Sequence, residues 1–200
     1  MSPESIAALL IPYVTDAPSE TDWPHIHAQL ALYLDLILKW NSRTNLTAIR
    51  TPEEIVCRHF GESLFAGIHL GKCQTLLDFG SGAGFPGIPI QLLRPEIAVT
   101  LAESQGKKAA FLRETVRTLN LSTEIWPARV ESMPPTRRFD AVTLRAVDNM
   151  DVALREASVR AHTTLVILGT ITTPPPQNFP NRKIFALPKS TTATLQIFSR

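Results

Sequence analysis

An α/β fold, with a mostly parallel sheet, an antiparallel hairpin at one edge and a helical segment in front, is what this sequence predicts. Three observations carry it. After Lys72, short apolar runs at 75–80, 98–103, 122–126, 139–144 and 163–168 alternate with helical patterns at 86–94, 106–119 and 150–161. Such alternation implies parallel strands joined by right-handed crossovers. Two further strands, 183–187 and 193–198, lie too close in sequence for a crossover, so they form an antiparallel hairpin at a sheet edge. Everything before Lys72 reads as helix.

Ile26, Leu30, Tyr33, Leu34, Ile37 and Trp40 recur at helical spacing, which makes residues 25–41 an amphipathic helix. Thr51-Pro52-Glu53-Glu54 reads as a cap, a proline and two acids opening a helix of about three turns toward Leu64. Residues 1–72 are therefore expected to be a helical extension packed on a core of residues 73–200, one compact domain overall. A chain of 200 residues, 44% of them hydrophobic, has enough apolar side chains for one such core. "TTPPPQNFPNR" (172–182) is expected to be a surface loop.

Lys plus Arg number 20 and Asp plus Glu 18, a net charge of +2, so a nucleic-acid partner would be met by a local patch and not by a basic surface as a whole. The two cysteines, Cys57 and Cys73, have no metal spacing and suit a reducing cytosol; both are expected to be inert core thiols, and no metal site is predicted. The first residues lack a basic n-region, and no run approaches 18 apolar residues. The expectation is a soluble, cytoplasmic, monomeric protein without a membrane partner.

The segment "LLDFGSGAGFPGIP" (76–89) passes from a buried strand through Gly80, Gly82, Gly84 and Gly87 into a helix. Glycines there let backbone approach a ligand, and the helix start offers free N–H groups. The next strand, Val99 to Glu103, ends on an acid beside that loop, where a carboxylate can accept both hydroxyls of a ribose. Phe85 and Pro86 crowd the place where a pyrophosphate would sit, and no G-K-[ST] cradle follows. A nucleoside with a short zwitterionic tail and no phosphate, S-adenosylmethionine, fits better.

Trp40-Asn41-x-x-x-Asn45-Leu46-Thr47, Arg58-His59, the glycine run, "ESQGKKAAFL" (103–112), "ARVE" (128–131) and "FDAVTLRAV" (139–147) together resemble the bacterial ribosomal RNA small subunit methyltransferase G family, also called glucose-inhibited division protein B. The resemblance spans about residues 30–150. It implies a class I, Rossmann-like methyltransferase fold, S-adenosylmethionine as donor, and methylation of N7 of one guanine in 16S ribosomal RNA, free or in the small ribosomal subunit. It further implies that Gly80, with Gly82 beside it, and Phe85 line the methionine part of the cofactor, that Val130 and Glu131 hold its adenine, and that Arg145 stands at the junction of cofactor and substrate.

Guanine N7 has a lone pair and no proton, so methylation there needs positioning and no general base. Amine methylation usually goes with [DN]-P-P-[YFW] after the fourth strand, where this chain reads Thr143-Leu144-Arg145-Ala146, and neither cysteine is placed as a nucleophile for carbon methylation. Arg145 or Arg129 is expected to orient the guanine through its acceptors. Arg58, His59, Lys107 and Lys108 are the main candidates for RNA contact, with Arg43, Arg50, Arg113, Arg117, Arg137 and Arg138 expected along the same rim. The chain departs from the family in having Gly61-Glu62-Ser63-Leu64 for Leu-Asp-Ser-Leu, and Leu168-Gly169 for Lys-Gly, where Lys183 is a candidate substitute. Readings that stay open are a methyltransferase for another substrate and an RNA-binding module without turnover.

Overall fold

The computed structural model describes residues 1–147, 149–170 and 173–200. Helix α1 (Pro3–Leu10), which the sequence reading did not single out, opens on Ser2, whose hydroxyl accepts the Ser5 N–H. Helix α2 (Trp23–Asn41) opens on Asp22, which accepts from the His25 N–H, and buries Ile26, Leu30, Tyr33, Leu34 and Ile37. Both starts satisfy otherwise orphaned helix donors with a side-chain oxygen.

The helix expected to end near Leu64 is longer. A short α3 (Pro52–Glu54) runs through a π-helical segment (Ile55–Gly61) into α4 (Glu62–His69) without a break. Nothing stops it at Leu64: Leu64, Phe65 and Ala66 are all buried, and the Ser63 hydroxyl reinforces the run by donating to the His59 carbonyl. The wide turns place Arg58 and His59 inside the π segment, a geometry that often marks functional sites.

Seven strands follow: β1 (Thr75–Phe79), β2 (Ala98–Ala102), β3 (Glu124–Trp126), β4 (Phe139–Arg145), β5 (Ala161–Gly169), β6 (Asn181–Ala186) and β7 (Thr194–Ser199). Their order is β3-β2-β1-β4-β5-β7-β6. The first four pairings are parallel, while β7 runs antiparallel to both β5 and β6. Helices α5 (Gly87–Leu93), α6 (Gly106–Thr118) and α7 (Met150–Arg160) make the crossovers.

Strand alternation sends side chains to two apolar layers. Leu76, Val99 and Leu101 join a cluster that extends across residue 72 to Leu30 and Phe60, whereas Leu77, Phe79 and Val142 pack with Ala153 and Ala157 of α7. The proline-rich segment is not wholly at the surface. Phe179 is fully buried in the second layer, capped by the Arg200 guanidinium 4.9 Å from its ring centre, and the Thr173 N–H donates to Gln196. Cys73 is buried as expected, but Cys57 is only partly covered.

Two of the four loop glycines are packing requirements. A Cβ on Gly87 would lie 2.4 Å from Leu101 and 2.9 Å from the Asp78 carboxylate; one on Gly84 would meet Ile88 at 2.5 Å and the Tyr33 hydroxyl at 2.7 Å. Gly87→Ala is therefore expected to lower unfolding free energy by about 1–3 kcal/mol through overpacking. Gly106→Ala, with nothing within 4 Å of the new methyl, should stay within about 0.5 kcal/mol of the parent. Parallel urea titrations of the two variants check both.

Candidate active site

The carboxyl ends of β1, β2 and β4 open into a cavity of about 1010 Å³, where ligands of open α/β sheets bind. Its floor is the turn after β1. Gly80 and Gly82 adopt φ of +69° and +57°, a left-handed backbone that glycine takes without steric cost. A Cβ on Gly80 would meet only Val147, at 3.7 Å, and one on Gly82 nothing nearer than 4.0 Å, so this half of the loop faces open space. The loop is held from below by Asp78. Its Oδ1 accepts from the Thr143 hydroxyl at 2.9 Å and its Oδ2 from the Gly87 N–H at 3.1 Å. Complete burial pushes this carboxyl up to about 6, with those hydrogen bonds opposing the rise.

Glu103, just past β2, is buried against the same loop. Its Oε2 accepts from the Gly82 N–H at 3.0 Å and its Oε1 from the Gln105 N–H at 2.7 Å. Each oxygen keeps a lone pair for a further donor. Beyond it, a single 3₁₀ turn (Val130–Ser132) brings buried Val130 and exposed Glu131 to the wall. Arg160, buried at the end of α7, shapes this turn from behind by donating to the carbonyls of Val130, Met133, Pro134 and Arg137 at 2.7–3.4 Å.

The opposite wall comes from the N-terminal helices. Asn41 folds the loop after α2, accepting from the Leu46 and Thr47 N–H groups and donating to the Thr47 carbonyl. Thr47 is thereby set 2.7 Å from His59 Nε2, and the His59 ring stacks on Phe85 with centroids 4.5 Å apart. Tyr33 ties α2 to the loop by donating to the Ala83 carbonyl. Arg145, the last residue of β4, donates from Nη2 to Glu62 Oε2 at 2.8 Å and to the Arg58 carbonyl at 2.7 Å. Arg145 Nη1 and His59 Nδ1 are buried without a partner, as is Gln29 Oε1 away from the cavity lining.

Of the residues picked out in the sequence, Gly80, Gly82, Phe85, Glu103, Val130, Glu131 and Arg145 meet around this one cavity. Arg58, His59, Lys108 and Arg129 also line it, but Lys107 does not. The expected single rim of cations divides. Arg137 and Arg138 precede β4 and so lie at the far, amino-terminal end of the parallel strands, where Arg137 pairs with Glu124 and donates to Thr100. Arg117, in the last turn of α6, has likewise run back from the cavity end. Leu168 is buried in the cavity wall, and Lys183 on the outermost strand does not reach the lining. In the sequence Glu62 stands out only as a departure from the family pattern, because its buried pairing with Arg145 depends on tertiary placement.

Fold and cavity together define the class I methyltransferase architecture. A family model described as rRNA small subunit methyltransferase G matches residues 26–168, and the chain belongs to that family. Proteins named ribosomal RNA small subunit methyltransferase G from Nitrosomonas eutropha and Xanthomonas euvesicatoria pv. vesicatoria are 42% identical over 135 residues and 37% identical over 164. Those alignments cover 67% and 80% of this chain, but 63% and 74% of the relatives, so the match to the Nitrosomonas protein spans under two thirds of its length. The T. thermophilus 16S rRNA N2 G1207 methyltransferase, solved with AdoMet and guanosine, superposes with a TM-score of 0.52 at 16% identity, over 70% of this chain and 40% of that one, which shows a shared fold.

Burial, with Arg145 and Arg58 close by, holds His59 down at about 3 against an ordinary 6.5. A base whose folded pKa is depressed contributes stability that is complete above pH 6.5 and is lost as the pH falls toward 3. Between pH 6.5 and 5 the parent should therefore lose about 2 kcal/mol more stability than His59→Gln, at about 1.36 kcal/mol per unit. Asp78 works in the opposite sense below its raised value but is common to both proteins, so it cancels. Denaturant titrations at the two pH values read the difference.

Proposed function

We propose that this protein transfers a methyl group from S-adenosylmethionine to N7 of a guanine in 16S ribosomal RNA. The observation that carries the reading is the juxtaposition, in one cavity, of an open glycine turn, the Glu103 carboxylate beside it and the Val130–Ser132 turn beyond. These residues fit a nucleoside with an amino-acid tail. Gly80 admits the tail close to backbone, Phe85 walls it, Glu103 accepts from ribose hydroxyls, and Val130 and Glu131 flank the adenine. When bound, the cofactor supplies a methyl group on a sulfonium.

N7 needs no deprotonation: a C–N bond forms from its lone pair as the C–S bond breaks, and no proton moves. The site is in keeping with that, since His59 is neutral across the working pH range and too weak a base to serve as one. Catalysis then rests on alignment and on exclusion of water. In this reading Arg58, Arg129 and Lys108, which line the cavity, meet RNA phosphates. Membership of the family supports ribosomal RNA as the substrate.

Nucleoside mass spectrometry of 16S RNA from cells with and without the gene tests the reading. Loss of one 7-methylguanosine on deletion is expected, and an unchanged level would sink the proposal. For the pocket, Gly80→Val places a β-branched residue at φ +69°. Calorimetric affinity for S-adenosylmethionine should drop by at least ~10-fold, since strain of 1–3 kcal/mol is set against binding.

A further inference from the structure

Glu62 opens α4 directly against Arg145 and is 6% exposed. Only one of its oxygens is occupied. Oε2 receives Arg145 Nη2, whereas Oε1 makes no hydrogen bond among the described residues and is not among their sealed polar atoms, so it faces the cavity that Glu62 lines. Burial pushes the Glu62 carboxyl up, with Arg145 and then Arg58 opposing, and the pairing with a guanidinium favours the carboxylate. Its position also separates it from the ribose end. Glu103 follows β2 and Arg145 ends β4, with β1 between them, so those strand ends are about 10 Å apart. The cavity continues past Arg145 to Leu168, Gly169 and Ala193, leaving room on the Glu62 side for a second planar group.

We propose that Glu62 selects the target base by accepting from N1–H and N2–H₂ on the Watson–Crick edge of guanine. This rests on the methyl-transfer reading above. Among the four bases only guanine offers two adjacent donors on that edge, and an acceptor-only carboxylate matches them. Adenine would turn its N1 lone pair toward the same oxygen, an unpaired and repulsive contact that discriminates against it. N7 lies on the other side of the purine, so a base gripped by Glu62 presents N7 away from α4, toward the turn at Gly80. Methylation at N7 also leaves the base positively charged. Its N1–H and N2–H₂ become stronger donors as that charge develops, so the contact with a carboxylate tightens toward the transition state.

The alternative occupant, the ammonium of the cofactor tail, is separated by experiment. Single-turnover methylation would be measured on 16S RNA carrying guanosine or inosine at the target position, inosine lacking only the 2-amino group, with the parent protein, Glu62→Gln and Glu62→Asp. The parent is expected to prefer guanosine by at least ~10-fold, as for the loss of a hydrogen bond to a charged group. Glu62→Gln should slow guanosine RNA by ~100-fold and inosine RNA by less than ~10-fold, erasing the preference, while Glu62→Asp keeps part of it. S-adenosylmethionine affinity by calorimetry should stay within ~3-fold in both variants, which also shows that they fold. Equal losses on the two RNAs, as expected if Glu62 only holds Arg145 in place, would overturn the inference and leave the methyl-transfer reading intact. A tenfold weaker cofactor affinity with the base preference unchanged would overturn it in favour of the ammonium. Absence of N7 methylation by the parent on guanosine RNA would overturn both.

Discussion

Asp78 is a fully buried carboxyl group, and three chain segments meet on it. It belongs to β1, it receives the Thr143 hydroxyl from β4, and it receives the first backbone N–H of α5 from Gly87. Burying a charge is unfavourable unless it is hydrogen-bonded, and burial pushes this carboxyl up to about 6 against the opposing hydrogen bonds from Thr143 and Gly87 and the nearby Arg145. What the arrangement secures is geometry. Asp78 begins the glycine turn and also holds its far end through the Gly87 N–H, and Gly87 lies against Leu101 too closely for any Cβ. Between those fixed ends stand the left-handed Gly80 and Gly82 with open space beside them, and the Gly82 N–H donates to Glu103.

The other half of the cavity is contributed by segments that are remote in sequence and continuous in packing. Tyr33 reaches from α2 to the Ala83 carbonyl, and its ring lies among Phe60, Phe85 and Phe111. His59 continues the stack onto Phe85. One aromatic cluster therefore joins the N-terminal helices to the glycine turn, and the apolar layer on that face crosses residue 72 without interruption. The cavity is a seam between two portions of chain, so its shape responds to packing in both.

The parts of this molecule that were readable in one dimension are those governed by local rules. Apolar runs mark all seven strands to within about two residues; the inner strands stand out because a strand buried on both faces must be apolar along its length, whereas β3 and β6 at the sheet edges are partly to largely exposed. The glycine turn and Glu103 are visible for a similar reason: glycine takes positive φ values without steric cost, and an acid stands out at the end of an apolar strand. Features decided by partners distant in sequence were hidden. Nothing local distinguishes Gly87, which is small because Leu101 is near, from Gly80, which has open space and a left-handed backbone. The π segment, the burial of Phe179 beneath the prolines and the division of the cations between opposite ends of the sheet each needed the third dimension. Glu62 shows this most plainly, since its partner Arg145 is 83 residues away.

Arg160 gives the far side of the site a different character. Its guanidinium is buried, pairs with Glu156 and gathers four carbonyls from the segment that carries Val130 and Glu131. A lysine could not span them, because one compact ammonium cannot match donors spread over a planar fork. The Val130–Ser132 turn is thus preorganised by a buried residue outside the cavity lining, and the entropy of ordering that turn is spent during folding and not at binding. Variation at position 160 would appear in a binding assay as a change in ligand affinity while leaving every contact residue in place. A search for affinity determinants confined to the cavity wall would pass over one that sits behind it.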